Sequence, residues 1–196
     1  MSMGKLADES NAVIARRRKS AAFFDWPDKG VKEWDITCEL LRSMHAGGDY
    51  RFTDNFDPLD DDWPDCVIRD RDGAQVGIEI TELVDQEAVA MCERGMNVYR
   101  VWSDQAIREK IAQILQSKDR KAHHGGLYGK LILLIHTDEV ELRSFRLFPV
   151  LDASVFPRPR NIDEAYLICS YEPTDGDEPA YPYTRLNLGG QPAEAS

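Results

Sequence analysis

Two β-prone runs flank an Asp-Gly turn in this chain, and that hairpin restricts the fold more than any other stretch. Asp65-Cys66-Val67-Ile68-Arg69 reads as one strand, Asp70-Arg71-Asp72-Gly73 as a turn, and Gln75 to Leu83 as the second strand. In the second strand Val76, Ile78 and Ile80 alternate with Gly77, Glu79 and Thr81. Successive side chains of a strand point to opposite faces, so one face is apolar and the other carries a carboxylate between two small residues. Gly77 has no side chain and Thr81 is small, which predicts open space over Glu79.

The elements around the hairpin follow from periodicity and breakers. Residues 5–22 predict a helix with Leu6, Val13, Ile14 and Ala21 on its apolar side. Trp26-Pro27-Asp28-Lys29-Gly30 breaks the chain. A second helix is expected over 31–45, with Trp34, Cys38, Leu41 and His45 at helical spacing and Gly47-Gly48 ending it. Tyr50, Phe52 and Thr53 suggest a short strand, and the Asp-rich stretch up to Trp63-Pro64 reads as loop. A weak helical pattern covers 83–97. A strong one follows to Lys121, with Ser103 as N-cap, Asp104 in the first turn and a stripe of Ile107, Ile111, Ile114 and Leu115. Lys130 to His136 is a buried strand; Phe145 to Val150, Ala165 to Tyr171 and Tyr183 to Leu188 are expected to be later strands. The small, polar residues 189–196 read as a frayed tail. Strand, hairpin, strand, helix, strand predicts an α/β sandwich with a central mixed sheet flanked by helices. The 196 residues fit a single domain with its core at about 31–150.

Composition narrows the classes of function. The formal net charge of −11 argues against loose, non-specific binding to nucleic acid, which is driven by Lys and Arg against phosphate. It leaves room for an acidic site that recruits metal ions beside a local basic face. The longest apolar run, Leu131 to Ile135, is strand-sized, so no membrane span is expected. Met1 to Ser10 lacks the apolar centre of a signal peptide, and a cytoplasmic location is the expectation. Cys38, Cys66, Cys92 and Cys169 are widely spaced within apolar segments, which reads as free thiols, not a zinc site.

Three side chains stand out for chemistry. Glu79 lies on the open face of its strand, and pairing around the turn brings Asp65 to the same end of the hairpin. Two carboxylates held there make a hard-oxygen site suited to Mg²⁺ or Mn²⁺. Lys118 lies four residues after Ile114 and seven after Ile111, so it extends the apolar stripe of its helix and needs a partner. Lys121 is the next candidate, and Glu39, beside Cys38 on the second helix, is a possible additional acid. The same residues also fit a plainer account. Asp65 would then be a turn residue after Pro64, Glu79 a solvent-facing strand residue, and Lys118 a cation at the favourable end of its helix.

Pro64-Asp65 followed across a hairpin by Glu79-Ile80-Thr81 resembles the PD-(D/E)xK, or restriction-endonuclease-like, nuclease superfamily, over about Glu39 to His136. The resemblance implies that Asp65 and Glu79 are ligands of a divalent metal, Mg²⁺ or Mn²⁺, and that the substrate is nucleic acid, DNA first. The family's lysine two residues after the glutamate helps orient or activate the attacking water. Thr81 stands in that position here, and Lys118 on the following helix is the candidate to replace it. Many nucleases of this type need two subunits to cut both strands, so a homodimer is a possible form. Thr81 and the net charge also motivate an alternative: a catalytically inactive domain of this fold that binds a protein partner. Other signals are weaker. His123-His124 reads as a solvated loop. Asp70-Arg71-Asp72-Gly73 lacks the glutamate a calcium loop carries at its twelfth position, where Thr81 stands.

Overall fold

The hairpin forms around the side chain of Asp70. Its Oδ1 accepts the backbone N–H groups of Asp72 and Ala74 at 3.0 and 2.8 Å, while Gly73 takes a φ of +82°, a conformation that favours glycine. The computed structural model describes residues 29–58, 63–94, 101–122, 128–139, 141–170, 172 and 181–189. The predicted helix over 5–22, the His123-His124 pair and the tail beyond Gly189 lie outside them.

Four helices and six strands are described. They are α1 (Lys29–Ala46), β1 (Phe52–Pro58), β2 (Cys66–Asp70), β3 (Gln75–Glu82), α2 (Gln86–Glu93), α3 (Asp104–Lys121), β4 (Lys130–Thr137), α4 (Ser144–Asp152), β5 (Glu164–Cys169) and β6 (Tyr183–Arg185). One sheet holds all six strands in sequence order. β1, β2 and β3 pair antiparallel, β3, β4 and β5 pair parallel, and β6 returns antiparallel on β5. The chain is therefore a mixed α/β structure built on a mixed sheet.

The period of two along the strands divides the core. Val76, Ile78, Ile80, Ile132, Leu134, Tyr166 and Ile168 pack with Ile36, Leu40, Leu41 and Met44 of α1. On the opposite face Leu131, Leu133, Ile135, Ala165 and Leu167 pack with Ile107, Ile111 and Leu115 of α3 and Leu147, Val150 and Leu151 of α4. Helices thus flank both faces, and β4, covered on each, is an almost unbroken apolar run. No described helix is long and apolar enough to cross a membrane. Cys38, Cys66 and Cys169 are in no disulfide, and burial pushes the Cys66 and Cys169 thiols up to about 11 and about 12.

Three local expectations change. The buried residues of α1 are Ile36, Thr37, Glu39, Leu40, Leu41 and Met44, while Trp34 is 42% exposed. The aromatic ring is not the anchor of that helix. Phe145 to Val150 is helical, not a strand. The N–H of Ser144 donates to Glu172 Oε1 at 2.6 Å and its hydroxyl bonds the other oxygen, so the helix start is capped by a residue far along the chain. The strand begun at Phe52 runs on to Pro58, into the stretch read as loop, because β2 supplies a ladder with an irregularity between Thr53 and Phe56. Charged residues are common on such an edge strand.

Candidate functional site

The pairing of β2 with β3 ends at Cys66↔Ile78. One step further the register would set Asp65 opposite Glu79, but β2 has ended and β3 continues alone beside β4 to Glu82. Ile80 therefore has backbone groups facing the side that β2 has left. Its N–H donates to Asp65 Oδ2 at 2.6 Å, and its carbonyl accepts from Lys118 Nζ at 3.2 Å. A buried backbone group needs a partner, and here the two candidate site residues supply both. The frayed strand edge thus draws Asp65 and Lys118 to one point.

Pro64 helps to hold Asp65 there. The space over Gly77, expected to lie open above the carboxylate, is filled: a Cβ added at Gly77 would meet Pro64 Cγ at 3.2 Å and Leu131 Cδ1 at 3.3 Å. The glycine serves the approach of the residue before Asp65 instead of leaving a void. The Trp63–Pro64 bond is cis.

Glu79 and Lys118 form the centre. Lys118 Nζ is paired with Glu79 Oε1, the two side chains being 22% and 15% exposed. Lys118 comes from the last turn of α3, three residues beyond buried Leu115 and seven beyond buried Ile111, so the stripe that packs α3 on the sheet also aims the ammonium at β3. Burial pushes the Glu79 carboxyl above its ordinary range; the Lys118 hydrogen bond opposes this and the charge of Asp65 reinforces it. Its second oxygen, Oε2, is buried and has no hydrogen-bond partner among the described residues.

A third carboxylate arrives from α1, and it is Glu33. Lys29 Nζ bridges Glu33 Oε1 at 3.1 Å and Asp65 Oδ1 at 3.4 Å. Burial raises the Glu33 carboxyl, and the neighbouring Asp65 charge raises it further. Glu39 is buried as well, but its partner is Arg42 on its own helix. Glu33 shares a face with Ile36, Thr37 and Leu40, so the true inward stripe of α1 selects it. Of the remaining candidates, Thr81 is half-buried with no hydrogen bond to Glu79 or Lys118, and Lys121 is exposed. Asp65, Glu79 and Lys118 are brought together; Glu39 and Lys121 are not.

The donor set can be weighed for a metal. No group of three His, Cys, Asp or Glu side chains able to hold a metal ion occurs among the described residues. Mg²⁺, however, is commonly held by one or two carboxylates and keeps water or substrate oxygens for its other positions. The unpartnered Glu79 Oε2 and the neighbouring Asp65 carboxylate suit such an ion. The arrangement defines a mixed α/β protein with a carboxylate and lysine site at the frayed edge of a hairpin. No known protein family matches this chain, and no curated protein or solved structure matches it either.

Proposed function

We propose that this chain is a divalent-metal-dependent phosphodiesterase that hydrolyses nucleic acid, DNA first, on a core organised like that of the PD-(D/E)xK nucleases. The observation that carries the reading is the contact of Lys118 with both Glu79 and the Ile80 carbonyl. It answers the gap left by Thr81: a lysine from the neighbouring helix reaches the glutamate that the motif lysine would accompany. The mixed sheet with helices on both faces is compatible with that core.

In this reading Asp65 and Glu79 Oε2 hold Mg²⁺ or Mn²⁺. A bound divalent ion supplies Lewis acidity toward a phosphate oxygen and lowers the pKa of water. The protein's own groups do the positioning. Asp65 is fixed through Oδ2 by the Ile80 N–H, so Oδ1, which faces the exposed Lys29, has a defined direction. Lys118 is a donor with three protons, of which two are directed at Glu79 Oε1 and the Ile80 carbonyl. The third is available to a water or a phosphate oxygen, and a fixed positive charge there favours the charge that develops on phosphate during displacement. Asp65→Ala and Glu79→Ala should each abolish Mn²⁺-dependent cleavage of a plasmid and of single-stranded DNA while circular dichroism stays native. Undiminished cleavage by both variants would remove the site from the chemistry.

One observation favours a second reading, an inactive domain that binds a protein partner. Asp65 and Glu79 are both already ion-paired with lysines, Lys29 and Lys118. With a net charge of −11 such a domain suits a basic partner. Recovery of a basic protein from extract that binds the purified chain directly, together with no metal-dependent cleavage, would support it.

A further inference from the structure

Lys29 of α1 precedes Glu33 by four residues, the weaker orientation for a helical ion pair. Its ammonium is shared between the carboxylates of Glu33 and Asp65. Their side chains are 13% and 8% exposed, while that of Lys29 is 74% exposed. The ammonium thus covers two sheltered carboxylates from the solvent side on a stem that solvent surrounds. Lys118 differs, being 22% exposed and bonded to Glu79 and to backbone. One lysine of the site is seated and the other is removable.

We propose that Lys29 is a resident counter-cation that competes with a divalent ion for Asp65 and Glu33 and withdraws into solvent when that ion binds. The inference rests on the metal-dependent reading above. Glu33, Asp65 and Glu79 carry three negative charges, and Lys29 with Lys118 returns two positive ones. Withdrawal of Lys29 lets a divalent ion enter with balanced charge; retention leaves the empty site with a single net negative charge. Lys29 thereby sets the divalent concentration at which the site fills.

The test is Mn²⁺ calorimetry on wild type, Lys29→Ala, Lys29→Gln, Lys32→Ala and Glu79→Ala, at one ionic strength. Lys32 is the matched control: it lies on the same helix and carries the same charge, but its field acts on Glu82 and His136. Both Lys29 variants should bind Mn²⁺ about tenfold more tightly than wild type, and Lys32→Ala within about twofold of it. Equal tightening by Lys29→Ala and Lys32→Ala would mean a general charge effect and overturn the proposal. So would unchanged or weaker binding by the Lys29 variants; if wild type still bound and Glu79→Ala did not, the metal reading would survive that result. Absence of binding in every variant would overturn both.

Discussion

Two sheltered carboxylates, two strands apart on opposite faces of the sheet, show how differently one chemical group can be used. Glu164 opens β5 and is surrounded: Lys130 Nζ at 2.8 Å, Arg51 Nη1 at 3.1 Å and Arg185 Nη2 at 3.3 Å all reach it, and the Tyr166 hydroxyl donates to it. These partners, led by the Lys130 and Tyr166 hydrogen bonds, overcome burial and hold the carboxyl at about 2. Among the described residues Glu79 on β3 has one side-chain partner and an oxygen with none, and burial leaves its carboxyl above the ordinary range. A carboxylate with every lone pair engaged has nothing to offer a ligand and acts as a fastener. One that lacks partners costs stability, and such costs gather where a protein has a task other than folding. The contrast gives a physical reason, separate from any motif, to look for function at Glu79 and not at the more densely charged cluster.

The widest separation between the two carboxylates should come from Glu164→Gln. Its three cations are 41%, 39% and 55% exposed and can partly rehydrate, so the loss should be about 2–3 kcal/mol, at the lower end of the cost of breaking a buried ion pair. Denaturant unfolding measures it, and Mn²⁺ affinity should not change. The pH dependence follows from the direction of the shift. A carboxyl held lower in the folded state adds stability that is complete above its unfolded value, near 4.5, and is lost as the pH falls toward about 2. The stability gap between wild type and Glu164→Gln should therefore be flat from neutrality to about pH 5 and close below that. A gap that is already closing at pH 6, or a variant as stable as wild type, would break the fastener interpretation.

The next effect is smaller and acts beside the other carboxylate. In Gly77→Ala the new methyl meets Pro64 and Leu131 at 3.2 and 3.3 Å, and Pro64 must yield by a few tenths of an ångström. Crowding of that kind should cost about 1 kcal/mol. Asp65 follows Pro64, so Mn²⁺ affinity should fall as well. Gly129→Ala is the control: its nearest neighbour is the Gln75 carbonyl oxygen at 3.9 Å, ordinary contact, and neither quantity should move. Equal effects of the two substitutions would mean that Pro64 does not position Asp65.

What the sequence displayed and what it concealed divide along the range of the interactions. The hairpin was legible because its cause is local: Asp70 bonds the backbone of its own turn, and Gly73 supplies the positive φ. The aim of Lys118 was legible for the same reason, since three or seven residues along a helix fix a direction. Glu33 was concealed because Trp34, large and apolar, suggested the wrong face of α1, and only packing against the sheet shows that Ile36 and Leu40 lie inward. The helical state of Phe145 to Val150 depends on Glu172, and the use of Gly77 on Pro64, neither of which a local pattern contains. The strand through the Asp-rich stretch depends on β2 lying beside it. Periodicity reports what a segment prefers; it does not report which partner arrives.

The smallest predicted effect separates two acids of one helix and tests the corrected face of α1 directly. Glu33 and Glu39 are the same residue type on the same element, and each is largely sheltered, so their intrinsic chemistry is alike. They differ in what they face. Glu33 shares Lys29 with Asp65, whereas Glu39 is held by Arg42. Removing the Glu33 charge takes a negative field from the site and leaves Lys29 to Asp65 alone, and both changes work against an entering cation. Glu33→Gln should therefore weaken Mn²⁺ binding by about threefold, a size suited to a half-screened charge at the margin of a site. Glu39→Gln should leave the affinity within error of wild type. Equal weakening by both would show that the site senses only the total charge of α1; weakening by Glu39→Gln alone would mean that the metal lies beside Glu39 and Arg42 and not beside Lys29.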